Sequence, residues 1–285
     1  MAERSEGCWW RRSALTLVLS LVCVNIFAQP QAARRFEPKS GRPGKDVEWV
    51  PTPQVLVDKM IDLAKVTSRD YLIDLGSGDG RTVIAAASRG ARAHGIEYDP
   101  EMVKLSQQSA AREGVTAKAT FVQGDFFKSD LSKASVITMF LLPALNLDLR
   151  PKLLDLKPGT RIVSNTWDME EWEADETAEA GAPNETWHRA FLWIVPARVD
   201  GTWRLQQGEL ALEQRFQKVS GTFTSSDGAT AISDARLRGD QITFSAGGIQ
   251  YKGRVNGNTI KGTTQGSTST TWRATRVGKG RRTER

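Results

Sequence analysis

Leu72-Ile73-Asp74-Leu75-Gly76-Ser77-Gly78-Asp79-Gly80-Arg81 sets an apolar run and an acid directly before three alternating glycines. The compact run over residues 71–75 predicts a strand, and residues 82–88 predict a helix, so the glycines fall on a strand-to-helix turn. Glycine permits a tight turn and lets a ligand approach the backbone closely. The free N–H groups of a helix start favour a carboxylate or phosphate. A dinucleotide loop wants Gly-x-Gly-x-x-Gly; here the third glycine comes one position early, at Gly80, and Arg81 fills its place. A phosphate loop is excluded too, because no Gly-Lys-Ser/Thr follows.

Two further acids extend the pattern. Glu97 ends a second predicted strand, residues 93–97, and lies 23 residues after Asp74. A carboxylate there can accept from both hydroxyls of a ribose. Asp125 follows a third strand, residues 120–122, in Phe121-Val122-Gln123-Gly124-Asp125-Phe126, where it can accept from an adenine amino group with Phe126 against the ring. Each acid alone could be a solvated loop carboxylate. Three acidic strand ends in this order, the first followed by Gly-x-Gly-x-Gly, resemble the donor site of class I methyltransferases, which bind S-adenosyl-L-methionine.

The surrounding chain alternates in the same grammar. Residues 100–113 read as a helix with Pro100 in its first turn. Residues 135–142 read as a fourth strand, 145–156 as a helix ending before Lys157-Pro158-Gly159, and 161–166 as a fifth strand. Strands alternating with helices imply an α/β, doubly wound parallel sheet, with residues 187–195 and 201–205 closing its edge. After residue 202 helix signals stop. Short alternating strands are split by turns such as Gly239-Asp240 and Asn256-Gly257-Asn258. Arg236-Leu237-Arg238-Gly239-Asp240-Gln241-Ile242 is echoed 18 residues later by Arg254-Val255-Asn256-Gly257-Asn258-Thr259-Ile260, as in successive hairpins of a small antiparallel sheet or barrel. The expected organisation is an N-terminal segment (1–28), a polar linker (29–46), a methyltransferase domain (47–201), an antiparallel β domain (202–276) and a basic tail (277–285).

Val50-Pro51-Thr52-Pro53 before the glycine loop narrows the resemblance. Together with Gly76-Ser77-Gly78-Asp79-Gly80-Arg81, Phe140-Leu141-Leu142-Pro143 and Leu156-Lys157-Pro158-Gly159-Thr160-Arg161-Ile162-Val163-Ser164, it resembles the ATP synthase c subunit lysine methyltransferase-like family over about residues 50–195. The resemblance implies a seven-stranded, Rossmann-like class I sheet, S-adenosyl-L-methionine as cofactor and a protein lysine as acceptor. It places Thr52 and Pro53 over the donor site, beside Asp74, Gly76, Ser77, Gly78, Asp79, Gly80, Arg81, Glu97, Asp125 and Phe126. Thr52 and Pro53 also suit a rigid helix entry. The C-terminal β region and the N-terminal segment are not part of that pattern.

Acceptor-side residues follow only from position. Open α/β sheets bind ligands at the carboxyl ends of their strands, which nominates Phe140, Leu142, Pro143, Asn165 and Asp168; equally, Phe140 and Leu142 could be core and Asp168 a loop acid. Trp167, Trp172, Trp187 and Trp193 could cage a methylated ammonium or simply pack. Phe140 stands where an amino-methylating nucleic-acid enzyme carries a polar residue, so a nucleobase acceptor is not expected. A small-molecule methyltransferase stays open, as does a non-catalytic binding protein whose β domain is the working part.

Composition bounds the rest. The 285 residues, 39% hydrophobic and 25% charged, are those of a globular protein. The formal charge is +6, partly from Arg276, Lys279, Arg281, Arg282 and Arg285, but no aromatic-interleaved basic stripe marks a nucleic-acid partner. Arg11 and Arg12 precede an apolar run over residues 14–28, about 15 residues, short of the roughly 20 of a spanning helix. It reads as an export signal ending near Ala28, with membrane anchoring as the alternative. The chain is therefore expected to be exported (periplasmic or secreted) or anchored by its N-terminus, and cytoplasmic if the assigned start is too early. An exported chain would meet little of a donor made in the cytosol. Both cysteines, Cys8 and Cys23, lie in that segment, and only His94 and His188 supply imidazoles, which rules out a disulfide in the processed chain, a thiolate site and a multi-histidine metal site.

Overall fold

A computed structural model describes residues 36–41, 48–181, 186–265 and 269–279. The expected export segment and the end of the basic tail, 280–285, lie outside the described residues. Phe36–Arg285 is one compact unit built on two sheets.

The first half runs α1 (Gln54–Leu63), β1 (Tyr71–Leu75), α2 (Arg81–Ser88), β2 (Arg92–Glu97), α3 (Pro100–Arg112), β3 (Ala119–Gln123), β4 (Val136–Met139), α4 (Pro143–Leu154), β5 (Arg161–Asn165), β6 (Glu176–Glu179) and β7 (Arg189–Ile194). The seven strands lie in the order β3-β2-β1-β4-β5-β7-β6. The first five are parallel, whereas β7 runs antiparallel to both β5 and β6. The sheet is thus mixed rather than wholly parallel. Its edge strand is Glu176–Glu179, a polar stretch without strand patterning, and not residues 201–205, which belong to the second sheet.

Alternation along β1 divides the core. Leu72 faces Leu56 and Val57 of α1, Val83 of α2 and Ala110 of α3. Ile73 faces Leu149 and Leu153 of α4 and Trp172. Successive side chains of a strand point to opposite faces, so β1 is covered on both sides. The helix starts follow local chemistry. Asp99 caps α3 by accepting from Glu101 N at 2.9 Å, ahead of Pro100. Pro143 opens α4, two residues earlier than the sequence predicts.

The second half is a nine-stranded antiparallel sheet: β8 (Gly201–Leu205), β9 (Gly208–Arg215), β10 (Lys218–Ser225), β11 (Gly228–Ala231), β12 (Ser233–Arg238), β13 (Gln241–Ala246), β14 (Ile249–Asn256), β15 (Thr259–Gln265) and β16 (Thr271–Lys279). Its order is β11-β10-β9-β8-β16-β15-β14-β13-β12. Ile232 N donates to Gly221 O at 3.0 Å, so the sheet curls until its ends nearly meet around Trp203, Phe244, Tyr251 and Trp272. The 18-residue echo is two hairpins, with Leu237 opposite Ile242 and Val255 opposite Ile260. All four side chains are buried. β16 extends through Val277–Lys279 into the stretch expected as tail.

The two sheets touch directly. Ala197 N donates to Gly239 O at 2.7 Å. A Cβ on Gly239 would stand 3.1 Å from Gly159 Cα, and Arg238 pairs with Glu176.

Candidate active site

At the carboxyl ends of β1, β2 and β4 lies a cleft, open to solvent. Of the residues expected at the site, Thr52, Asp74, Gly76, Ser77, Gly78, Asp79, Arg81, Glu97, Asp125, Phe126 and Phe140 line it. Pro53, Gly80, Leu142, Pro143, Asn165 and Asp168 do not.

Asp74 is 6% exposed and accepts from Thr138 Oγ1 at 2.6 Å. The two residues are register partners on β1 and β4. Burial pushes the Asp74 carboxyl up to about 7; the Thr138 hydroxyl opposes this, and the Glu97 and Asp79 carboxylates add to it. Glu97 closes the glycine loop onto β2: its Oε2 accepts from Gly78 N at 2.8 Å and its Oε1 from Asp99 N at 3.0 Å. Each oxygen keeps a further lone pair for a ligand hydroxyl.

The three glycines have distinct tasks. Gly76, Gly78 and Gly80 have φ of 71°, 53° and 84°, a region that favours glycine. A Cβ on Gly78 would lie 2.5 Å from the Trp49 indole nitrogen, and one on Gly80 would lie 2.6 Å from Ser106 Cβ and 2.8 Å from the Phe121 ring. Gly80 therefore serves the packing of α2 against α3 and β3, and Gly78 admits Trp49. Only Gly76, with nothing closer than Leu141 at 3.5 Å, keeps the role of admitting a ligand.

Arg81 forks onto Asp79, with Nη2 2.6 Å from Oδ2, and its Nη1 donates to Thr52 O at 2.8 Å. This ties the Pro-Thr-Pro strap over the cleft. Thr52 in turn accepts from Asn165 Nδ2 at 3.1 Å, while Asn165 Oδ1 accepts from Thr166 Oγ1 at 2.7 Å. Asn165 is wholly buried; it is a strut beneath the strap, not an acceptor-side group. Pro53 starts α1, its carbonyl accepting from Leu56 N and Val57 N. Asp168 is exposed and caps its own turn by accepting from Glu170 N at 3.1 Å. Just after β3, Asp125 Oδ1 accepts from Phe127 N at 2.9 Å. The turn after it is held from below by Lys152 Nζ, which donates to Phe126 O, Phe127 O and Ser129 O at 3.0, 2.7 and 2.6 Å.

The chemistry of the cleft selects its ligand. Glu48, Asp74, Asp79, Glu97, Asp99 and Asp125 line it, against Arg81 as the cation among the lining residues. A phosphate-rich ligand would meet repulsion there, whereas one carrying an ammonium and a sulfonium is attracted. Ser77 Oγ is buried with no hydrogen-bond partner among the described residues, the kind of orphan a bound polar ligand satisfies. S-adenosyl-L-methionine fits on both counts. It supplies a methyl group already activated on a positive sulfur.

Beyond the donor cleft, Phe140 packs edge-on against Trp187, ring centroids 5.2 Å apart, and Trp187 against Trp167 at 6.4 Å. Trp172 and Trp193 are fully buried in the core, so the four tryptophans divide into two pairs. The β sheet grips the segment after Trp167. Phe216, in the β9–β10 turn, stacks on Trp172 at 6.0 Å, and Arg150 covers its ring. Gln217 donates to Glu173 O at 2.7 Å and Lys218 pairs with Glu173 at 2.5 Å.

Trp49, Thr138, Lys152 and Asn146 escaped the sequence reading. Two of them left a trace: Thr138 is polar inside Val136-Ile137-Thr138-Met139, and Asn146 is polar on the buried face of α4.

Comparison with known proteins agrees with this site. The ANTKMT methyltransferase domain model matches residues 74–176. A protein-lysine N-methyltransferase of Saccharolobus islandicus (strain REY15A) is 40% identical over 152 residues, 52% of this chain and 94% of that protein. The human lysine N-methyltransferase of the ATP synthase c subunit is 34% identical over 134 residues; the match spans 47% of this chain and 57% of the human protein. A crystal structure of an RNA methyltransferase from Salinibacter ruber in complex with S-adenosyl-L-homocysteine shows 45% identity, covers 53% of this chain and 96% of that one, and superposes with a TM-score of 0.49. With an acidic donor cleft built around Asp74 and similarity spanning nearly the whole length of the Saccharolobus enzyme, the chain belongs to the same family of S-adenosyl-L-methionine-dependent methyltransferases as that enzyme.

Proposed function

We propose that the protein transfers the methyl group of S-adenosyl-L-methionine to the side-chain amine of a protein lysine. The observation that carries this is Phe140, which lines the donor cleft at the end of β4, while Asn165, the amide at the end of β5, is committed to Thr52 and Thr166. A nucleobase amine needs a polar partner at that edge. A long aliphatic stem needs an apolar one. The names of the Saccharolobus and human relatives point the same way.

On this reading the protein's work is alignment. The reacting atoms must be held about 3–3.5 Å apart and in line. A lysine is protonated at neutral pH and must shed that proton before its amine can attack the sulfonium methyl. The strap at Thr52, pinned by Arg81, shields the cleft from water. The test is transfer of labelled methyl from the donor to a cell extract, followed by acid hydrolysis of the protein fraction. Label recovered as methyllysine supports the reading; label confined to RNA or to small molecules contradicts it.

A further inference from the structure

We infer that Phe140, Trp167 and Trp187 form the acceptor subsite, an aromatic wall that binds the alkylammonium end of the acceptor by its positive charge. The inference rests on the lysine reading and adds the residues that recognise the amine. Three observations converge. Trp187 packs edge-on against both Phe140 and Trp167, at 5.2 and 6.4 Å, yet none of the three belongs to either hydrophobic core of the α/β half. All three rings are half-buried, whereas the packing pair Trp172 and Trp193 is fully enclosed. Phe140 is shared with the donor cleft, so the wall begins where the donor site ends.

The backbone beneath the wall is strained and pinned. Thr166 holds φ of 65°, and its N–H donates to Arg189 O at 2.8 Å. Trp167 N donates to Asn165 O at 2.7 Å, and the Trp167 carbonyl accepts from buried Asn146 at 3.1 Å. A left-handed threonine is strained and persists where its surroundings over-determine it, which is commonest at functional sites. Here it sets the position of Trp167 beside Trp187. Aromatic faces attract a desolvated ammonium, and a methylated ammonium, being weakly hydrated, loses less on leaving water.

The test uses the full-length protein loaded with S-adenosyl-L-homocysteine. Calorimetry measures binding of N-acetyl-Nε-trimethyllysine methylamide and of its neutral isostere, in which carbon replaces the charged nitrogen. The expected result is at least tenfold tighter binding of the cation, retained in Trp187→Phe and lost in Trp187→Leu, with homocysteine-product affinity unchanged in both variants. Equal binding of cation and isostere would reduce the wall to an apolar surface and overturn the inference, as would absence of binding by either. These outcomes come from the wild type and need no variant to fold. They are also separable from the lysine reading: methyllysine formed in the transfer assay without cation-selective binding removes only the aromatic subsite.

Discussion

The Arg81 guanidinium donates to the Thr52 carbonyl at 2.8 Å, joining residues 29 positions apart. The same guanidinium grips Asp79 through both Nε and Nη2. The glycine loop and the Pro-Thr-Pro strap thus share one fork, and opening the strap means breaking it.

Arg81→Ala should weaken homocysteine-product binding about tenfold, roughly 1.4 kcal/mol, measured by calorimetry. Arg81→Lys should recover little, because a single ammonium cannot make the paired contact to Asp79 while reaching Thr52 O. Wild-type affinity in Arg81→Ala would remove the strap from the donor site.

Asp74 makes donor affinity depend on pH. Its carboxyl is raised to about 7, chiefly by burial, and a cationic ligand favours the ionised form. Affinity for S-adenosyl-L-methionine should therefore fall about tenfold from pH 8 to pH 6, and Asp74→Asn should flatten the profile at lower affinity. The effect on stability has the opposite sign. A carboxyl with a raised folded pKa binds more protons folded than unfolded, so its contribution is fully present below the ordinary carboxylate range and is lost as pH rises through about 7. Urea midpoints of the ligand-free protein, compared with Asp74→Asn, read this directly. A flat difference between the two from pH 5 to 8 would contradict it.

Two glycines separate strain from collision. Gly114 has φ of 68° with nothing within 4 Å of where a methyl group would stand, whereas Gly80 has φ of 84° and its Cβ would strike Ser106 and Phe121. Gly114→Ala should cost about 1 kcal/mol, from the left-handed backbone alone. Gly80→Ala should cost about 3 kcal/mol, because backbone strain and overpacking add. Denaturant midpoints at constant slope distinguish the two.

Phe216 joins the β sheet to the methyltransferase half through its stack on Trp172. Phe216→Ala should lower stability by about 2 kcal/mol. Because Trp172 lies in the segment that follows Trp167, the same variant should raise KM for a protein acceptor more than it lowers kcat, with donor affinity unchanged. A variant altered in stability alone would make the β sheet a passive attachment.

The parts of this molecule legible in the sequence are those with local causes. Gly76, Gly78 and Gly80 follow an apolar strand and precede a helix, and the acids Asp74, Glu97 and Asp125 sit at successive strand ends. Leu237, Ile242, Val255 and Ile260 mark two hairpins by spacing alone. What escaped depends on distant partners. Trp203 and Leu205 alternate as well for one sheet as for the other; pairing with β9 and β16 decides. Glu176–Glu179 carries no strand pattern and is placed by β7. Asn165 stands where an acceptor-binding amide would stand, but Thr52, 113 residues away, takes its donor. Gly95 gives no sign in sequence that its missing side chain makes room for Ser77 Oγ, which a Cβ would meet at 2.5 Å.

The most direct measurement is calorimetric titration of S-adenosyl-L-methionine into the full-length protein, with Asp74→Ala alongside. Micromolar binding to the wild type, about −8 kcal/mol, lost in a variant that still folds, is the predicted result. Absence of binding to the folded wild type would contradict it, because without a donor in the cleft around Asp74 there is no methyl group to transfer.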